Sequence, residues 1–119
     1  MVRPTVVEGA PEDARVSCEE VFAPFIGLQR FDDVQEAIDA AGHSEFGLQA
    51  GIFTNDMRVV EDAFDRIDVG GLMVNDVSTF RIDHMPYGGV RSSGLGREGL
   101  RYAIEEMTEL KLLTTNRRS

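Results

Sequence analysis

Chemistry in this 119-residue chain has few places to sit: two histidines, one cysteine, a glycine-rich turn and a pair of adjacent glutamates. Gly94-Leu95-Gly96-Arg97-Glu98-Gly99 matches G-x-G-x-x-G. In a dinucleotide fold that turn presents backbone amides to a pyrophosphate at a helix N-terminus. Here no strand leads into it, and no second strand with an acidic end follows about 20 residues on. A glycine turn before a helix is the simpler reading. Cys18 has only the acidic Glu19 and Glu20 beside it, with no base or cation to generate a thiolate. His43 and His84 lie 41 residues apart without ligand-like spacing, so metal ligation is not expected. Asp83-His84 has the makings of an acid/base pair but no accompanying nucleophile. In Glu19-Glu20-Val21-Phe22-Ala23-Pro24 a carboxylate can accept hydrogen bonds from a diol while Phe22 packs on a flat ring. On those residues alone, a charged loop running into a strand explains as much.

The elements that would position these groups alternate in type. Phe25 to Phe31 reads as a short apolar strand. Val34, Ala37, Ile38 and Ala41 then fall on one helical face, with Asp32 or Asp33 as N-cap and Gly42 as a left-handed C-cap. Gln49 to Thr54 reads as a second strand. Asn55 or Asp56 caps a helix whose apolar face is Val59, Val60, Ala63, Phe64 and Ile67, closed by Gly70 and Gly71. Leu72-Met73-Val74 is a third strand, and residues 76–96 form a long loop of the kind that carries function. A third helix is expected from Arg97 to about Glu109, and a last strand from Leu110 to Thr115. Strand–helix alternation implies an α/β fold with a small, mostly parallel sheet and three helices. Parallel sheets need both faces covered, and three helices barely suffice.

Composition narrows the class. The net charge of −9 disfavours nucleic-acid and membrane-surface binding. The charge is uneven, near −10 over residues 1–68 and +1 over residues 69–119. A single cysteine excludes an internal disulfide and a cysteine-based zinc cluster. With no apolar run long enough for a span and no apolar leader, a cytoplasmic protein is the expectation.

Four ordered motifs then carry a resemblance. Glu19-Glu20-Val21-Phe22-Ala23-Pro24 resembles E-E-[IV]-F-G-P, and Phe46 to Thr54 resembles Y-G-L-x-A-x-[VI]-[FW]-T. Gly70-Gly71-Leu72-Met73-Val74-Asn75 resembles G-x-[VI]-x-[VI]-N, and Pro86 to Glu98 resembles P-[FY]-G-G-x-K-x-S-G-x-G-R-E. All four belong to the NAD(P)-dependent aldehyde dehydrogenases, and the match runs from about Pro4 to Lys111. Phe80 to Pro86 and Glu105 to Glu109 look closest to the lactaldehyde- and phosphonoacetaldehyde-type members.

The resemblance implies the C-terminal part of that family's catalytic domain over residues 1–109, and its final oligomerisation strand and tail over 110–119. The nucleophilic cysteine, general-base glutamate and cofactor domain would lie upstream, so no catalytic residue is expected here and Cys18 is not the nucleophile. It further implies that Glu20 holds the nicotinamide ribose hydroxyls, Phe22 packs near the nicotinamide, and Tyr87 lines the substrate tunnel. Arg81, with His84 nearby, is expected to face an anionic substrate tail. NAD or NADP would be the cofactor of the full-length enzyme, with none bound by the isolated chain. The partners would be a small aldehyde and further copies of the subunit through residues 110–115. Ala23 stands where the family has Gly, a tighter turn if φ must be positive. Arg91 stands where it has Lys, with little effect expected at a surface loop. The chain alone is expected to be inactive; a non-enzymatic assembly module is the alternative.

Overall fold

The computed structural model describes residues 1–117. In chain order the elements are β1 (Thr5–Glu8), α1 (Arg15–Cys18), β2 (Phe25–Leu28), α2 (Val34–Gly42), β3 (Phe46–Gly47), β4 (Gln49–Ile52), α3 (Met57–Arg66), β5 (Gly71–Val74), β6 (Val90–Arg91) and α4 (Leu100–Glu106). The class is α/β, as the alternation implies. The strands, however, form three two-stranded sheets: β1–β2 and β4–β5 parallel, β3–β6 antiparallel. Helices number four among the described residues, because the single turn α1 is too short to show an apolar period.

Local chemistry explains the two longer helices. The Asp33 carboxylate accepts from the Gln35 amide at 3.0 Å and caps α2; Asp56 does the same for Arg58 at the head of α3, also at 3.0 Å. Asp56 also takes the Arg58 guanidinium at 2.8 Å, and this partner holds its carboxyl below the ordinary aspartate value. At the end of α2 the expected left-handed Gly42 cap is absent. Gly42 lies inside the helix and His43, at φ −81°, is the cap. The glycine serves packing instead: a Cβ on it would lie 2.9 Å from the Arg66 carbonyl oxygen.

The core is small. Ile38 (3% exposed), Ala63 (0%) and Ile67 (9%) are its buried residues, with Ala50, Ile52, Val59, Val69 and Leu72 packed against them. It therefore joins α2 and α3 to one face of β4–β5. Arg66 reinforces the helix pair: its guanidinium donates to Asp62 at 2.8 Å on its own helix and to Gln35 and Asp39 on α2. Phe64, expected on the buried face of α3, is exposed.

Elsewhere burial is incomplete. α4 begins at Leu100 rather than Arg97, because Gly99 enters the helix at φ +123°. Its apolar residues Leu100, Ile104 and Met107 are exposed. The strand expected at Leu110–Thr115 is not formed: the segment is irregular, with Leu110, Leu112 and Leu113 exposed. A strand needs a neighbour for its amides and carbonyls, and among the described residues no backbone hydrogen bond reaches this segment. The accessible surface is 10121 Å². A compact monomer of this mass exposes about 6,400 Å². The radius of gyration, 19.8 Å, likewise exceeds the roughly 13.5 Å of a compact chain of this length.

The 46–48, 68–71 and 88–93 segments cross at glycines. The Gly70 amide donates to the Gly47 carbonyl at 3.0 Å, and a Cβ on Gly70 would fall 1.6 Å from the Gly88 oxygen. Gly47 is equally closed, 2.6 Å from the Asp68 oxygen and a Val90 methyl. Gly27 in β2 has only ordinary contact at 3.7 Å. Gly70→Ala should therefore cost about 3 kcal/mol, the upper end of overpacking, and Gly27→Ala far less. Urea midpoints of the two variants check this; equal losses would contradict the close crossing.

Candidate functional site

The expected site residues fall into two groups. Glu20 and Phe22 lie in the turn before β2. The Ala23 amide donates to the Val21 carbonyl at 2.7 Å, closing a tight turn, and the Pro24 carbonyl accepts from Thr5 at 2.9 Å, docking the turn onto β1. Among the described residues only Asn75 and Arg91 are non-glycine with positive φ, so Ala23 sits there without left-handed strain. Phe22 projects outward, 92% exposed. Of the two adjacent glutamates, Glu19 is engaged: Arg15, one turn earlier on α1, donates to both its oxygens at 2.8 and 2.9 Å. The guanidinium also holds the Glu19 carboxyl below its ordinary value. Both glutamates are exposed, and Glu20 is the one without an ion pair among the described residues. Cys18, also exposed, donates its thiol to the Glu12 carbonyl at 2.9 Å.

The second group sits on the long loop. Tyr87 and Glu98 form an antiparallel bridge, with amide–carbonyl bonds of 3.1 and 2.5 Å in the two directions. Arg81 stacks on the Tyr87 ring, its guanidinium carbon 4.0 Å from the centroid, and Nη2 donates to Glu98 Oε2 at 2.8 Å. Arg81, Tyr87 and Glu98 thus form one cluster. His84 lies outside it, exposed in a turn closed by the Met85 amide on the Ile82 carbonyl at 3.2 Å. Among the described residues no hydrogen bond or ion pair joins residues 1–32 to residues 43–117, so no polar bond links the Glu20 group to the Tyr87 group.

Two partners escaped the sequence. Glu98 is 17 residues from Arg81, a spacing with no helical or strand signature. Arg91 is more than a surface substitute for lysine. At φ +53° it donates to the Gly42 and Ser44 carbonyls at 2.8 and 2.5 Å and to Asp68 at 3.1 Å. It ties the loop that carries Tyr87 to the ends of α2 and α3.

A carboxylate beside the glycine turn disfavours a phosphate there. A Cβ on Gly96 would lie 3.1 Å from Glu106 Oε1, so a carboxylate sits over the turn. The adjoining hollow of about 370 Å³ is lined by Gly96, Arg97, Tyr102, Glu105 and Glu106. Arg97 there is spent on the Gly89 and Gly96 carbonyls, at 3.0 and 2.7 Å. Among the described residues no cluster of metal-binding side chains exists, and no helix is long and apolar enough to cross a membrane.

Comparison with known proteins agrees with the motifs. The aldehyde dehydrogenase family profile matches residues 1–113. A 3-sulfolactaldehyde dehydrogenase from Priestia megaterium is 48% identical over 113 residues, covering 95% of this chain and 24% of the relative. Aldehyde dehydrogenase 21 from Physcomitrella patens, solved with its reaction product succinate, superposes at TM-score 0.87 with 40% identity, over 92% of this chain and 23% of that one. Glyceraldehyde-3-phosphate dehydrogenase GapN from Methanocaldococcus jannaschii, complexed with NADP, superposes at 0.81 with 44% identity, over 91% of this chain and 23% of that one. The chain spans about a quarter of the length of the relatives it matches. By sequence and by fold, it belongs to the aldehyde dehydrogenase family.

Proposed function

We propose that the chain acts as the C-terminal part of an NAD(P)-dependent aldehyde dehydrogenase, residues 1–109 completing the catalytic domain and residues 110–119 serving assembly. Arg118 and Ser119 of that tail lie outside the described residues. The observation that carries the reading is the open surface. The excess over a compact monomer is about 3,700 Å², more than the roughly 1,000–2,500 Å² that one partner contributes to an obligate interface. Such a surface suits a segment that finishes its core against other protein, and the isolated chain is inactive on this reading.

In the complete enzyme an aldehyde is oxidised to a carboxylic acid through a thioester on a cysteine outside this chain. NAD or NADP, when bound, supplies the hydride acceptor. The donor set here fits that cofactor: Glu20 is an exposed carboxylate outside the Arg15–Glu19 pair, and Phe22 is an outward-facing ring beside it. Glu20 accepts from the ribose hydroxyls and fixes the sugar; Phe22 packs near the nicotinamide. Tyr87 walls the substrate tunnel. Arg81, with His84 nearby, faces the anionic tail of the aldehyde. Support comes from the Priestia megaterium relative, named for a sulfonated aldehyde, and from the succinate in the Physcomitrella patens structure.

A chimaera tests this: the chain replaces the matched segment of the Priestia megaterium enzyme. The chain alone should form no reduced nicotinamide, and the chimaera should. Glu20→Gln in the chimaera should raise KM for NAD(P)+ about tenfold, the loss of a charge-assisted hydrogen bond of about 1.5 kcal/mol, with little change in KM for aldehyde. Arg81→Ala should raise KM for a sulfonated aldehyde and leave that for an uncharged one; equal effects on both would remove Arg81 from the tail site.

The second reading, a non-enzymatic assembly module, is favoured by one feature, the unpaired Leu110–Leu113 segment with its exposed leucines. Edge-strand addition to another copy would satisfy its backbone. Size-exclusion chromatography over a concentration series should show self-association; a monomer at every concentration would dismiss the module.

A further inference from the structure

The Arg81 guanidinium has two edges that can grip a planar anion with two parallel hydrogen bonds, Nε–Nη2 and Nη1–Nη2. Nη2 belongs to both, and Glu98 sits on it at 2.8 Å. Nη2 carries one N–H on each edge, so the Glu98 carboxylate closes the two-pronged approach on its own edge and its charge opposes an anion arriving at the other. The arrangement is built rather than accidental. The Tyr87–Glu98 bridge sets ring and carboxylate side by side, and Arg81, from an irregular stretch of loop, is fixed by stacking on one and hydrogen-bonding the other. Side chains of Arg81 and Glu98 are 50% and 66% exposed, so an incoming anion can reach both.

We infer that Glu98 is an internal counter-anion that occupies Arg81 in the empty site and competes for it with the anionic tail of the substrate. This rests on the reading of Arg81 as the residue facing that tail. Three consequences follow from the geometry. The empty cluster is electrically neutral, so it attracts anions only weakly from a distance. A ligand able to take both prongs replaces a single hydrogen bond and wins; a ligand with one weak acceptor does not. Stacking on Tyr87 does not depend on Glu98, so the guanidinium stays in place during the exchange. Glu98 thereby sets how strongly the site discriminates among anions without itself contacting the reacting carbon.

The full 119-residue chain can be titrated with methanesulfonate while the Arg81 Nε–H resonance is followed by NMR. Glu98→Gln should tighten the apparent Kd about fivefold, the scale of losing one charge-assisted competitor at a solvated site. Glu98→Asp, which draws the carboxylate back by one methylene and keeps its charge, should fall between. It also serves if the Gln variant does not fold. Identical titrations for wild type and both variants would overturn the proposal. In the chimaera, Glu98→Gln should lower KM for a sulfonated aldehyde about fivefold and leave KM for an uncharged one unchanged. If Arg81→Ala acts selectively on the sulfonated aldehyde while Glu98→Gln leaves its KM unchanged or higher, the counter-anion is wrong and the tail site stands. If Arg81→Ala affects both aldehydes alike, the tail site fails and the counter-anion role with it.

Discussion

The rest of the molecule depends on the backbone crossing at Gly47, Gly70 and Gly88. Three chain segments from different parts of the sequence meet there at distances that exclude any side chain. The hydrogen bond from Gly70 to Gly47 closes the crossing. Arg91 binds its outer side to the ends of α2 and α3 through three acceptors on two segments. The core of Ile38, Ala63 and Ile67 is too small to organise so long a loop by burial. The loop that carries Arg81, Tyr87 and Glu98 is instead held by close backbone approach and charged hydrogen bonds. A left-handed Arg91, strained for a side-chain-bearing residue, is tolerated because its guanidinium has fixed partners at that angle.

What could be read in advance followed from how local the determinant is. α2 and α3 were legible because their signals lie within a few residues: Asp33 and Asp56 as caps, and apolar positions at helical spacing. β4 and β5 were legible as short apolar runs bounded by turn residues. The division into three small sheets was not, since pairing is decided by segments far apart in sequence. The Gly42 cap failed because the same residue type serves two purposes, and here close packing on Arg66 took precedence over a left-handed turn. Phe64 stands on the apolar face read for α3 and is exposed, since helical spacing marks a face without stating whether this chain supplies anything to cover it.

The candidate site shows the same division. Its residue types were carried by the motifs at Glu19–Pro24 and Pro86–Glu98 and by the Phe80–Pro86 stretch between them. Its interactions were not, because Arg81 meets Glu98 across a loop without periodicity, and Glu19 differs from Glu20 only through an arginine on a one-turn helix. Which glutamate is committed and which is available is a property of α1, an element without sequence signature. The glycine-rich turn is the converse case: the motif is present in full, and the neighbouring Glu106 disfavours the chemistry the motif suggests.

The separateness of residues 1–32 has a thermodynamic meaning of its own. β1 and β2 hold one another by a parallel ladder and by the Arg30–Glu8 pair, and among the described residues no polar bond runs from residues 1–32 to the helices and strands that follow. Cooperative melting requires that the loss of one part destabilise another. Here no hydrogen bond or ion pair among the described residues supplies that coupling. The isolated polypeptide is a poor candidate for two-state behaviour, and a single melting temperature would average two local equilibria. The turn bearing Glu20 and Phe22 belongs to the less buried of these units, so its order is governed by whatever protein surface β1–β2 rests on.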